Sequence, residues 1–241
     1  MAGEKTIKLL GVAHEPAFAA AAAYKATEVL KKYAKPGEVI AIELDPPSDI
    51  KTFEKIFESK KDFPEAFKPY FMDWIRKLIK PDYIIKMTGI TPGEVKKRID
   101  IVLSKAYKDA TPQALVFYKS FCLAKEKGLK IESLGLPFVS AVIQRPSIAP
   151  KLAVLTLLPV KERFVVSKIM RLKPDFVLVG SGHLEEIKNR LRKNKIKTKT
   201  ILYMKPPHQL EEAKEVRKIR SEYWQRRKQM ERMRLGLKKR I

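Results

Sequence analysis

The chain has 241 residues with 51 Lys and Arg against 27 Asp and Glu, a formal charge of +24, and self-repulsion of that size is a standing cost unless a polyanion neutralises it. Its single cysteine, Cys122, excludes a disulfide within the chain and a thiolate metal site, so a buried, inert thiol is expected there. No apolar run reaches the eighteen or so residues of a spanning helix, since Leu9 to Ala23 is broken by His14, Glu15 and Pro16.

Met1 to Thr6 is short and polar, without the basic-then-apolar order of a signal peptide, so no membrane association and a cytoplasmic location are expected. Thr6 to Ala13 is β-branched and aliphatic and reads as a strand, and Pro16 opens an Ala-rich helix to Ala34. Gly37 interrupts it, and Val39 to Leu44 is a second apolar run. This is a βαβ unit, which implies a parallel pair buried on both faces.

A helical insertion at about 50–128 follows. In Phe53 to Lys80, residues Phe57, Phe67, Phe71, Trp74, Ile75 and Leu78 recur near helical spacing and predict a core-facing stripe. Thr91, Pro92 and Glu94 form an N-cap, a first-turn proline and a capping-box acid for a helix to about Lys108. Thr111 with Pro112 repeats the device for a second helix ending at Gly128. Leu129 to Leu134 reads as a strand, Pro159 to Leu172 as a helix, Asp175 to Val179 as a strand and Leu184 to Lys193 as a helix. Thr198 to Met204 is a last strand before Pro206 and Pro207 end the domain. The fold class is α/β with a mainly parallel sheet over residues 1–205, followed by a long basic C-terminal helix at 206–241.

That tail helps to decide the partner. From Leu184 onward there are 20 basic and 7 acidic side chains, more than half of the imbalance in the last quarter of the chain. The abundance of Lys and Glu resembles adaptation to high temperature, but such proteins pair their charges in networks, and about half of these cations have no acidic counterpart. From Gln209 to about Leu235 there is no Pro or Gly, and Leu210, Ala213, Val216, Ile219 and Tyr223 make a modest apolar stripe. Arg217, Arg220, Arg226, Arg227, Lys228, Arg232, Arg234, Lys238, Lys239 and Arg240 surround it, with Trp224 available for stacking. A solvated helix face is the plain reading of such a run. Basic residues all round, interleaved with aromatics, suit a helix lying against phosphate and sugar, so RNA is the expected partner. His208, just after the two prolines, caps the tail or is simply exposed.

Two of the three histidines close the same short pattern, Gly11-Val12-Ala13-His14 and Gly180-Ser181-Gly182-His183, each directly after an apolar run. Glu43-Leu44-Asp45 follows the second run in the same way. Residues just past the carboxyl ends of parallel strands face one crevice, so His14, Glu43 or Asp45, and His183 are expected to converge. Two readings fit. Two imidazoles and a carboxylate are a usual ligand set for a divalent transition metal that activates water, with the glycines permitting tight turns. Equally, the histidines are turn residues bonded to backbone and Glu43 is a structural carboxylate.

The segments "LLGVAHEP", "VIAIELDPP" and "FVLVGSGHLEEI" resemble the TraB/PrgY family and its relatives, the TIKI proteases, GumN and the erythromycin esterase-like group, over about residues 6–190. "KERFVVSKI" looks like the family's Glu-Arg element, matched by Glu162 and Arg163. The resemblance implies an α/β fold with a metal-dependent hydrolase site in which one divalent ion (Zn, Mn or Co) is held by His14, Glu43 and His183, and in which Glu43 and Arg163 are catalytic. The chain departs from the pattern in three places. Pro46, Pro47 and Ser48 stand where an Arg often follows, Phe164 replaces an Asn or Asp, and the basic tail stands where TraB members carry membrane helices. Two functions are therefore expected in order: an RNA-binding accessory protein of a ribosome or other large ribonucleoprotein on a TraB-like scaffold whose metal site is vestigial, and, second, a soluble metal-dependent peptidase or esterase.

Overall fold

The structure, a computed structural model, describes residues 5–13, 16–45, 48–78, 91–135 and 150–204. The apolar runs become five strands: β1 (Ile7–Val12), β2 (Val39–Ile42), β3 (Lys130–Ser133), β4 (Phe176–Gly180) and β5 (Thr198–Tyr203). They form one sheet in the order β3-β2-β4-β1-β5, and every pairing is parallel. This is the expected α/β class with a parallel sheet. The basic tail, with the eleven residues singled out in it and His208, lies outside the described residues.

Helix α1 (Ala19–Tyr33) connects β1 to β2, but these strands are not neighbours. Strand β4, more than 160 residues after β1, inserts between them, with Leu10 opposite Leu178 on one side and Ile42 opposite Leu178 on the other. The opening unit is thus a crossover that leaves room for a late central strand. All five residues of β4 are buried, as a strand covered on both faces must be.

Alternation along the strands splits the core into two layers. Leu10, Val12, Ile40, Ile42, Phe176 and Leu178 face α1 and the helical insertion. Ile7, Leu9, Ala41, Val177 and Val179 face the other way, onto helix α5 (Pro150–Leu172) through Val165, Val166 and Ile169 and helix α6 (Ser181–Lys193) through Leu184, Ile187 and Leu191. Gly11 lies inside β1, not at a turn: a Cβ there would come 2.7 Å from Leu184 Cδ2, so its bareness lets α6 sit close on the sheet. At the end of β3 the approach is tighter still, since a Cβ on Gly135 would stand 1.7 Å from the Leu44 carbonyl oxygen.

The insertion differs from its expected layout. Up to residue 78 this segment is two helices, α2 (Ile50–Ser59) and α3 (Phe63–Leu78), because Lys60 takes a left-handed conformation (φ 55°) and ends the first. Asp49 caps α2, accepting from the Thr52 N–H at 2.8 Å. Phe53 therefore enters the core in place of Phe57, which is exposed, while Phe67 and Phe71 are buried as expected. The two helices expected around Thr111 and Pro112 are one, α4 (Pro92–Glu126), of 35 residues. Thr91 caps its start as the sequence implies, but Pro112 lies inside it. Thr111, expected to cap a new helix, turns its hydroxyl back to donate to the Tyr107 carbonyl at 2.7 Å. Buried Ala114, Val116, Phe117, Tyr118 and Phe121 anchor the following turns, which outweighs the local preference of proline to break. Helix α5 likewise starts at Pro150, nine residues before the expected start.

Cys122 is free and half-buried. Burial pushes its thiol up against the opposing bond with Tyr118, consistent with an unreactive group. Among the described residues no helix is long and apolar enough to cross a membrane.

Candidate functional site

The carboxyl ends of β2 and β4 lie side by side at the centre of the sheet, where the chain's path across it reverses direction. Glu43, one residue past β2, is buried, and its Oε2 accepts from the Gly180 N–H at 2.8 Å. The carboxylate thus takes up a strand-end donor of β4 that the ladder leaves open. Its backbone N–H continues the ladder, donating to the Leu178 carbonyl at 2.9 Å.

A cation completes the arrangement. Lys161, on the inner face of α5, places Nζ 2.6 Å from Glu43 Oε1 and 2.7 Å from Asp45 Oδ2. Burial raises the cost of charging Glu43, but Lys161, His183 and the Gly180 N–H more than offset it and hold the carboxyl well below the usual carboxylate range. Burial likewise works against the Lys161 ammonium, and the two carboxylates overcome it, holding the amine above its ordinary 10.5.

His183 stands beside this pair. Strand β4 passes into α6 without a loop, so His183 sits in the first helical turn and not in a turn between elements. Gly182 has open space where a Cβ would be, so no close approach requires it. The imidazole lies between two acids, Nε2 3.7 Å from Glu43 Oε1 and Nδ1 3.7 Å from Glu162 Oε1. Burial pulls its pKa down, but Glu43 and Glu162 outweigh burial and raise it above 6.5.

The structure therefore brings together Glu43, Asp45 and His183 as the strand-end reasoning expects. His14, immediately after Ala13, lies outside the described residues. Of the Glu-Arg pair, Glu162 (4% exposed) faces His183, and Arg163 is turned outward. Lys161 and Glu162 turn into the crevice on successive positions, and one step further round the helix Arg163 points to solvent. Arg163 instead lines an open cleft of about 320 Å³ between α5 and α6 with Ser167, Arg190 and Lys193.

Lys161 was not singled out by sequence reasoning, although a signal exists. It lies four and eight residues before Val165 and Ile169, so a charged residue interrupts the buried stripe of α5. A lysine there needs an acid opposite it.

Of the ligand set implied by the resemblance, Glu43 and His183 are described and His14 is not. No three His, Cys, Asp or Glu side chains among the described residues are placed to hold one ion. Both oxygens of Glu43 are engaged, one by an ammonium and one by an amide. What the cluster can do as it stands is neutralise charge at the strand ends and hold a protonated imidazole between Glu43 and Glu162.

The outer surface differs sharply from this balanced interior. Three open clefts carry eleven cationic side chains and one carboxylate, Asp100. One runs along α4 past Lys96, Lys97, Lys105 and Lys108. The other two flank α6, with Arg163, Arg190 and Lys193 on one side and Lys188, Arg192, Lys195 and Lys197 on the other. Next to Arg163 on the outer surface of α5, Phe164 is 40% exposed, with Lys168 Nζ 5.6 Å from its ring centre. Comparison with protein-family models, curated proteins and solved structures gives no match for this chain.

Proposed function

We propose that the protein is an RNA-binding accessory protein, attached in the cytoplasm to a ribosome or comparable ribonucleoprotein, with the α/β domain as scaffold and the basic C-terminal segment as principal contact. The single observation that carries this reading is the cationic surface: the clefts flanking α6 are lined by seven cations, of which Arg190 is paired with Glu186 at 2.7 Å, and by no carboxylate. Small-molecule sites are concave and mostly apolar, whereas shallow cationic clefts suit a phosphate backbone. Exposed Phe164 adds an aromatic face beside them, suited to a stacked base. The tail continues from Met204, whose N–H donates to the Gly11 carbonyl at 2.9 Å and whose side chain packs with the core layer that faces α1.

Contacts of this kind position the protein on RNA and carry little sequence information, so affinity should be strong, salt-dependent and only modestly selective. Filter binding of the full chain and of residues 1–204 to structured RNA across a salt series tests the reading, together with co-sedimentation with ribosomes at low and high salt. The full chain should bind tightly and the shortened one far more weakly. Equal affinities, or no binding in dilute buffer, would defeat it.

A second reading, hydrolysis of an ester or peptide bond at the strand-end crevice, is favoured by one observation, the imidazole of His183 set between Glu43 and Glu162. His183 would then act in proton transfer, oriented by Glu162. Ester or peptide turnover that disappears in His183→Ala would support it; turnover unchanged in that variant would remove it.

A further inference from the structure

We propose that the second half of α6 and the turn that follows it form a cradle for the two backbones of double-stranded RNA, a contact distinct from the tail. The inference rests on the RNA-binding reading and names the form of RNA that this part of the domain takes.

Between Lys188 and Lys199 seven of twelve residues are basic and none is acidic. Cations near a helix C-terminus complement its dipole, which accounts for Arg190, Arg192 and Lys193 but not for Lys195, Lys197 and Lys199 beyond the helix. Leu184, Ile187 and Leu191 fix the side of α6 that meets the sheet. Successive residues turn by about 100°, so Lys188 and Arg192 fall along one flank and Arg190 and Lys193 along the other, each pair lining its own cleft. The two rows are separated by a helix diameter, roughly 10 Å.

The turn extends the first row. Asn194 ends α6, Lys195 takes the left-handed conformation (φ 61°), and the N–H groups of Lys195 and Ile196 donate to the Arg192 and Leu191 carbonyls at 2.9 and 3.0 Å. That closed helix end, with the Ile7 N–H donating to the Lys197 carbonyl at 3.0 Å, holds Lys195 and Lys197 in the same cleft as Lys188 and Arg192.

A single strand follows one track and is gripped by aromatic rings stacked on its bases. No Phe, Tyr or Trp lies between Lys188 and Lys199 or lines either cleft, and Phe164 stands outside both. Two cationic rows with a ridge between them fit instead the two backbones that border a groove, and the wide, shallow minor groove of A-form RNA can receive such a ridge. Asn189 is exposed on its crest, about 200° round the helix from both Ile187 and Leu191. Its amide donates and accepts, as does the 2′-hydroxyl displayed in that groove. The chain has two asparagines, and the other, Asn194, donates to the Arg190 carbonyl at 2.8 Å as part of the helix end. Glu185 and Glu186 come one turn before Asn189, which confines the contact to the second half of the helix.

The test uses the full chain with three labelled probes: a blunt RNA duplex of about sixteen base pairs, a DNA duplex of the same sequence, and an unstructured single-stranded RNA, each titrated across a salt series. Lys188→Gln combined with Arg192→Gln and Lys195→Gln should lower affinity for duplex RNA on the order of tenfold or more and the salt slope by about 3, with single-strand binding close to the parent's. Removing equal charge from the other side of the sheet, by Lys96→Gln, Lys97→Gln and Lys105→Gln on α4, should change that slope by less than about 1. Lys195→Gly suits the left-handed backbone while removing a cation, so its melting temperature should rise as its duplex affinity falls, a separation that a purely structural residue would not give. Asn189→Ala should narrow the preference for duplex RNA over duplex DNA about fivefold. A parent protein that binds the single strand and not the duplex, or a triple variant on α6 no weaker than the one on α4, would overturn the inference and leave the RNA-binding reading standing. A parent that binds none of the probes would defeat both.

Discussion

Lys161→Met isolates the charge at the strand-end site while keeping a chain of similar length in the buried stripe of α5. It removes two contacts, at 2.6 Å to Glu43 and 2.7 Å to Asp45. Asp45 is 20% exposed and can recover water, but Glu43 is 8% exposed and keeps only the Gly180 N–H and, at 3.7 Å, His183. Removing one member of a buried pair costs about 3–5 kcal/mol, because the other charge stays behind without compensation. Partial rehydration of Asp45 places this case near the lower end, about 3 kcal/mol. Urea unfolding followed by circular dichroism should show the midpoint falling by about 1 M, taking a slope of about 3 kcal/mol/M. The double variant Glu43→Leu with Lys161→Met should cost clearly less than the two single changes added together, since it removes the stranded charge. A single variant within about 0.5 kcal/mol of the parent, or a strictly additive double, would refute the reasoning.

The same cluster fixes a pH dependence. His183 is raised above 6.5 on folding, so its stabilisation is complete below that value and is lost as pH rises through its folded pKa. Glu43 is lowered from 4.5, so its contribution is present above that value and fades as pH falls. Urea midpoints against pH should therefore decline above about 6.5 in the parent and not in His183→Asn; parallel curves would contradict the assigned partners. Gly11→Ala should destabilise by about 1–3 kcal/mol through the 2.7 Å approach to buried Leu184, and Gly135→Ala by more, because its clash is with backbone at 1.7 Å. Thermal melts with the order reversed would show those close approaches to be misplaced. Pro112→Ala restores a helical donor inside α4 and should raise the urea midpoint, by about 1–3 kcal/mol in free energy; a loss would mean that the proline is required there.

The sheet was legible because buried parallel strands write themselves as short apolar runs, and each of the five lies within a residue or two of its expected place. The order of the strands was not, since nothing local in Phe176–Gly180 says that it slips between β1 and β2. The insertion misled in the opposite direction. Thr111 and Pro112 carry a helix-start signal, but burial of Phe117 and Phe121 decided the outcome from a distance. At the site, Glu43 and His183 could be found because strand ends in such a sheet share an edge. Lys161 belongs to a helix whose sequence neighbours say nothing about which acid it meets 118 positions earlier at residue 43. Glu162 and Arg163 were read as a unit, yet helical geometry sends one to the crevice and the other to the cationic cleft.

How the charge is divided makes the RNA reading sharper than a general affinity for polyanions. From Lys205 onward the tail has 13 basic and 5 acidic residues, a surplus of 8, which leaves 38 against 22, or +16, on residues 1–204. Were the protein only a diffuse polycation, deleting the tail would remove about a third of the electrostatic drive and lower the salt slope in proportion. A tail that is the principal contact predicts a steeper loss, with most of the slope gone although two thirds of the net charge remains. Charge reversal on the domain, Arg163→Glu with Lys193→Glu, is the control. It lowers the net charge by about two units at each of two sites in the cleft beside α6, and it leaves the tail intact. If that pair lowers affinity more than truncation does, the tail is not the main contact, and the face formed by α5 and α6 takes its place. A slope that simply tracks net charge through both changes would leave only non-specific attraction, and the proposed role would fall.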